Sequence, residues 1–312
     1  MKYDTAGDPI TGLKWSRRTT AKIAAELATV GIEISPNSVA KLLKKLDFRL
    51  RVNHKKLSSG SGSNRDQQFG YIAEMRQRFA RDERPVISVD AKKRELVGNF
   101  KNPGTAWHRH AVPVKDHDFR SEAQGVAIPY GIYDEQANRG SIFVGTSHDT
   151  SEFAVESIEK WWRYDGRRRY PETDHLLILA DSGGSNSAYR RSWKYALQTK
   201  LCDRHRLSVT VTHYPTGASK WNPIEHRLFS EISKNWAGKP LESYETILNY
   251  IRTTKTSTGL RVKAYLVPKQ YPKAVKISDQ QIEELALEKH ETLPKWNYTL
   301  TPRENLEMGT YS

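Results

Sequence analysis

At 312 residues, 37% of them hydrophobic and 28% charged, the chain is long enough for about two domains with a sizeable core, which excludes wholesale disorder. No run approaches the roughly 18 apolar residues of a membrane span, and MKYDTAGDPI lacks the basic-then-apolar order of a signal peptide. One cysteine, Cys202, excludes a disulfide framework and paired-cysteine zinc sites, so a reducing cytoplasm is expected. Fifty Lys and Arg against 36 Asp and Glu leave a net charge of +14, which points to a polyanionic partner, nucleic acid before membrane.

The excess is uneven. Residues 1–65 hold thirteen Lys and Arg against five Asp and Glu, a net of +8. Thr19 or Thr20 is placed to cap a helix over TAKIAAELATV, with Ile23, Ala24 and Leu27 as its apolar stripe and Gly31 as its stop. Ser35 then caps a second helix with Pro36 in its first turn. Val39, Leu42, Leu43 and Leu46 are expected to face inward, and Ser38, Lys41, Lys44 and Lys45 outward. Helix, glycine turn and basic second helix resemble a helix-turn-helix. That reading makes the lysines candidate phosphate contacts and Ser38 a candidate base contact; the plainer alternative is a helical hairpin with a solvated lysine face. Residues 1–56 are accordingly read as a small all-α DNA-binding region. The Ser/Gly-rich stretch after it predicts a flexible linker over 57–68. Phe69, Ile72, Ala73 and Phe79 then fall at helical spacing.

From Pro85 the pattern turns to strands. PVISVD is a β-branched run, and VAIPYGIYD and SIFVGTSH flank the polar turn DEQANRG as a hairpin. A helix starts at Asp149 or Thr150, followed by the wholly apolar strand HLLILAD. A helix over NSAYRRSWKYALQTK, the strand LSVTVTHYP and a helix over PIEHRLFSEISKNW complete a mixed α/β sheet with flanking helices, read as one domain over 69–275. Residues 276–312 read as a tail with one short helix.

Three carboxylates stand out. Asp90 and Asp181 each end a strand, where functional groups gather in open α/β sheets, although turn or cap roles also fit. Glu225 follows Asn222 and Pro223 at the third helical position, nearly a capping box. Yet Glu225, Phe229, Ile232 and Trp236 share one helix face, which turns the carboxylate inward, where it is costly unless paired or metal-bound. Two aspartates at strand ends and a glutamate on a later helix suit two Mg²⁺ or Mn²⁺ ions about 4 Å apart, the apparatus of in-line phosphoryl displacement. Lys92, Lys93, Lys220 and His226 lie beside these carboxylates in sequence and are candidate phosphate contacts, or solvated surface charge. The Trp107–His110 run reads as basic and aromatic loop decoration, and GxSxG, kinase and P-loop signatures are missing.

ISVDAKKRELVGNFKN (87–102), AIPYGIYD (127–134), GTSHDTSEFAVESIEKWW (145–162), LLILADSGGSN (176–186) and HYPTGASKWNPIEHRLFSEISKNWAGKPL (213–241), with KTSTGLRVKAYL (255–266) and KWNYT (295–299), together resemble the ISAzo-type family of bacterial insertion-sequence DDE transposases. The resemblance runs over nearly the whole chain. It implies an RNase H-like catalytic domain with Asp90, Asp181 and Glu225 as the DDE triad, and Mg²⁺ or Mn²⁺ as cofactor. It also implies a polynucleotidyl transferase that binds double-stranded DNA at element ends and target, acts as a homo-oligomer on DNA, and works in the cytoplasm at the nucleoid. Ser182 stands where the family has Gly, and Thr216-Gly217-Ala218 where it has Pro-Gly-Thr. Members usually carry a further helical segment before the GDP…LKW stretch, so an N-terminally truncated copy is expected. A nuclease that does not join, and a catalytically dead copy acting as a DNA-binding repressor, are the rival readings.

Overall fold

A computed structural model of the chain describes residues 5–7, 14–16, 18–49, 63–105 and 110–304. The chain divides into two compact units, residues 1–57 and 58–312.

The first unit opens with a two-stranded antiparallel ribbon, β1 (Thr5–Gly7) against β2 (Lys14–Ser16). The sequence reading made this region all-α. Each strand is only three residues long and carries no apolar alternation to betray it. Helices α1 (Thr20–Thr29) and α2 (Pro36–Lys45) follow as expected. The Thr19 hydroxyl accepts from Lys22 N–H at 3.3 Å and the Ser35 hydroxyl from Ser38 N–H at 3.1 Å, so both caps fall where the sequence places them. Ile23, Ala24 and Val39 are buried, with Leu27, Ile34 and Leu43 packed on them. Leu42 and Leu46, expected to face inward, are exposed at 47% and 68%. The contact stripe on α2 is narrower than its apolar residues allow.

The second unit is a nine-stranded sheet between helices. Its strands are β3 (Val86–Ala91), β4 (Glu95–Val97), β5 (Gly125–Asp134), β6 (Arg139–Gly145), β7 (His175–Ala180), β8 (Ser208–His213), β9 (Arg261–Val267), β10 (Leu287–Lys289) and β11 (Asn297–Leu300). Their order is β10-β11-β8-β7-β3-β5-β6-β9, with β4 beside β5. β3, β5 and β6 form an antiparallel meander, and β7 and β8 run parallel to β3. That five-strand order and polarity is the RNase H-like core, and the mixed α/β expectation holds. β9 extends it in parallel beyond β6, and β11 in antiparallel beyond β8.

Two boundaries move. Helix α3 (Ser63–Arg81) begins inside the stretch read as linker 57–68. The buried Gln68 amide donates to His213 O at 2.9 Å and to Asn297 Oδ1 at 2.8 Å, which pins this turn to the sheet. Residues 276–300, read as tail, supply β10, β11 and the short helix α8 (Asp279–Glu283); Tyr298 and Leu300 are buried. A four-residue strand is too short for its alternation to stand out from irregular sequence.

The helices α4 (Ser151–Trp161) and α5 (Arg191–Leu197), each prolonged by a π turn, lie on one face of the sheet over Ile87, Val89, Tyr130 and Ile178. α3, α6 (Ser230–Asn235) and α7 (Tyr244–Arg252) cover the other. Among the described residues no helix is long and apolar enough to cross a membrane.

Candidate active site

Strands β3 and β7 pair in parallel with Val89 opposite Ala180. Asp90 and Asp181 come next in the two chains, so the register sets them side by side at the C-terminal ends of these two central strands, on one face, with backbones about 5 Å apart by strand spacing. Asp90 is buried, and its Oδ1 accepts from Ala91 N–H at 2.7 Å.

Glu225 reaches the same face through a docking contact two residues upstream of Asp90. The buried Ser88 hydroxyl donates to Asn222 Oδ1 and accepts from Ile224 N–H at 3.0 Å, and Asn222 Nδ2 donates to Val89 O at 3.4 Å. The Asn222 side chain is therefore spent on the sheet, not on a helix cap. On β5 the residue opposite Asp90 in register is Gly131. A Cβ at Gly131 would lie 2.5 Å from the Phe229 ring and 2.8 Å from Ile224, so the missing side chain is the space into which the Glu225 segment settles. A π turn over Glu225–Phe229 leads into α6, and its wider pitch buries Leu228 and Phe229 while Glu225 stays half-buried. Phe229, Ile232 and Trp236 are buried as expected.

Burial pushes all three carboxyls up, and repulsion from neighbouring carboxylates adds to it for Asp90 and Asp181. Asp90 stands well above the carboxylate range, raised by burial, then by Asp181, Glu225 and Asp149. Asp181 is pushed up to about 6 by burial, Glu225 and Asp149. Glu225 is raised by burial, against the pull of His226 and Lys92, and shares a hydrogen bond with Asp90.

Asp149 is a fourth carboxylate of the cluster, close enough to raise both Asp90 and Asp181. Either Asp149 or Thr150 suited the cap of α4. Thr150 takes that role, accepting from Phe153 N–H at 3.2 Å, and Asp149 is left facing the site. The diglycine that follows Ser182 runs close to both: a Cβ on Gly183 would lie 3.7 Å from Asp181 Oδ2, and one on Gly184 4.0 Å from Asp149 Oδ2. A cavity of about 500 Å³ opens beside Asp149, with Arg94, Arg190 and Lys273 on its walls. The Arg190 Nε donates to Gly184 O at 2.8 Å.

Under the site, His213 Nδ1 donates to Asp181 O at 3.0 Å and its Nε2 lies 3.3 Å from the Tyr298 hydroxyl. Burial lowers His213 to about 4, so it is a neutral prop for the loop. Tyr130, buried below the cluster, donates to Asn186 Oδ1 at 2.8 Å.

Among the described residues no three His, Cys, Asp or Glu side chains enclose a cation site unaided. The donors nonetheless fit a hard cation. They are all oxygen, and Asp181 Oδ1 and Asp149 Oδ1 are buried with no hydrogen-bond partner.

The other candidates divide. Lys92 Nζ lies 3.1 Å from Glu95 Oε1 and 4.6 Å from the Trp236 ring centroid, so it is anchored beside Glu225. Lys93 and Lys220 are exposed, with Lys220 Nζ 4.0 Å from the Trp221 ring centroid. His226 is exposed and meets the Lys220 carbonyl. Lys41, Lys44 and Lys45 are exposed on α2, whereas Ser38 is half-buried with its hydroxyl 3.0 Å from that of Ser35. Residues 107–109 of the Trp107–His110 run lie outside the described residues.

Three comparisons bear on identity. No curated protein matches the chain. Solved structures with a similar fold include a Mos1 transposase paired-end complex with left transposon end, at 14% identity over 75% of this chain and 65% of that one, TM-score 0.45. A Mos1 Strand Transfer Complex matches at 13% identity over 79% and 71%, TM-score 0.44. The chain thus spans just under two thirds of the paired-end complex's protein. The profile of the family described as Rhodopirellula transposase DDE domain matches residues 1–302. The chain belongs to that transposase DDE family.

Proposed function

We propose that this protein binds the ends of a mobile element and cuts and joins DNA there by divalent-metal-dependent phosphoryl transfer. The observation that carries the reading is the convergence of Asp90, Asp181 and Glu225 on one sheet face, all with raised carboxyls. Gathering like charges in a partly buried place destabilises the fold, and a cation relieves it. Asp90, Asp181 and Glu225 would hold Mg²⁺ or Mn²⁺, with Asp149 beside them. When bound, such ions supply charge neutralisation and Lewis acidity for an in-line displacement.

The chain's own residues do the rest. Ser88 and Asn222 fix Glu225 against Asp90, and His213 holds the Asp181 backbone. Arg94, Arg190 and Lys273 line a path for the phosphodiester strand beside Asp149. In the first step water attacks the scissile phosphorus, the P–O3′ bond breaks, and the 3′-oxygen leaves with a proton as a free hydroxyl. In the second that hydroxyl attacks a target phosphodiester, and the target's own 3′-oxygen leaves. Neither step needs ATP or a covalent enzyme intermediate. The exposed lysines of α2 would supply phosphate contacts for end binding, and oligomerisation on DNA and a location at the nucleoid belong to the same reading.

Labelled element ends, a target plasmid and Mg²⁺ test it. Cleavage with joined product supports the proposal. Cleavage without joining favours a nuclease, and binding without cleavage a repressor.

A further inference from the structure

The residue just before the Glu225 docking contact is out of place by the usual rules of burial. Among the described residues Trp161, Trp162, Trp193 and Trp236 are buried, yet Trp221 is 44% exposed. Leaving an indole in water forgoes a large hydrophobic gain. Its position is not loose: Asn222, the next residue, is locked to Ser88 and Val89 on the strand that carries Asp90, and Glu225 follows four residues after Trp221. The Phe69 ring supports the indole, with centroids 5.5 Å apart at 58°.

Two cations attend it. The Arg65 guanidinium carbon lies 4.9 Å from the Trp221 centroid and Lys220 Nζ 4.0 Å. Among the described residues neither has a carboxylate partner. Both come from the same unit as the carboxylates. A rigidly mounted, exposed indole flanked by two uncompensated cations matches what a single-stranded nucleotide presents, a π face and flanking phosphates.

We propose that Trp221 is a stacking platform for an unpaired base of the DNA strand held at the carboxylates, with Arg65 and Lys220 taking the phosphates on either side. The proposal rests on the reading of the site as one that acts on DNA. It adds that the strand is locally unpaired there and that one base is read by stacking, without regard to its identity.

Equilibrium binding separates the two ideas, because it does not require cleavage. A short single-stranded oligonucleotide should quench part of the intrinsic tryptophan fluorescence. Trp221→Phe should lose that part while keeping most of the affinity, and Trp221→Ala should bind roughly 10- to 100-fold more weakly, the range that stacking of one base supplies. On element ends carrying a single abasic site, one position should exist at which Trp221→Ala causes no further loss. Equal affinity of Trp221→Ala and wild type, unchanged quenching in Trp221→Phe, or the same loss at every abasic position would overturn the platform. Failure of the wild type to cleave with Mg²⁺, with the binding results as expected, would instead count against the catalytic reading and leave the platform supported.

Discussion

Asp181 ionises in the folded protein near pH 6, above the ordinary carboxylate value. Above that pH the fold holds a charge it disfavours, and the penalty fades as the pH falls from 6 towards 4. Asp181→Asn should therefore stabilise the metal-free protein at pH 7.5 by about 1–3 kcal/mol, solvent screening part of the penalty, with the gain vanishing near pH 4. Calorimetry on both forms measures it; a net loss at pH 7.5 would mean the carboxylate is a structural cap. His213 has the opposite sign. Its folded value near 4 lies below that of the unfolded chain, so the stability it confers is complete above about pH 6.5 and is lost as the pH falls towards 4. Replacing His213 with Asn should flatten the acid limb of the stability curve by up to about 3 kcal/mol. Asp90, Asp181 and Glu225 were legible in the sequence because two end strong strands and one interrupts an apolar helix face. Asp149 was less so, because Asp and Thr are both good caps at the head of α4, and the structure gives that role to Thr150.

The element that decides the geometry is the Glu225 segment, and it is placed by small features of the sheet. Gly131 leaves the gap that Ile224 and Phe229 fill, and Gly140 does the same for Leu228, which would lie 2.4 Å from a Cβ there. Gly131→Ala should destabilise the fold by about 1–3 kcal/mol through overpacking and should slow cleavage by displacing Glu225 while DNA binding persists; an unchanged cleavage rate would show that the segment tolerates the shift. Ser88→Ala leaves Asn222 Oδ1 and Ile224 N–H without their shared partner, at a cost of about 1–3 kcal/mol, measurable by denaturant unfolding. A midpoint like that of the wild type would show that the contact is dispensable. The sequence showed the helix here but read Asn222 as its cap and held the pitch at α-helical spacing. The tertiary partner, Ser88, lies 134 residues away, and no local pattern announces such a pairing.

At the scale of the whole chain, strong strands and long amphipathic helices could be read directly, because burial on one or both faces leaves a periodic mark. What escaped were short pieces whose pairing is decided elsewhere: the β1–β2 ribbon, the first turn of α3 and the strands β10 and β11. The first unit, residues 1–57, holds twelve Lys and Arg against five Asp and Glu, a net of +7, and this charge is the basis of its expected part. Deleting residues 1–57 should abolish preference for element ends and lower the slope of log affinity against log salt, since phosphate contacts set that slope; an unchanged slope and preference would remove the unit from DNA recognition. The central claim is that the three converging carboxylates carry the chemistry, and single-turnover cleavage of a labelled element end by Glu225→Gln in Mg²⁺ tests it most directly. The change keeps shape and hydrogen bonding and removes only the charge. The account predicts a cleavage rate lowered by at least about a hundredfold, with end binding and thermal stability at or above wild type; cleavage at the wild-type rate would contradict it.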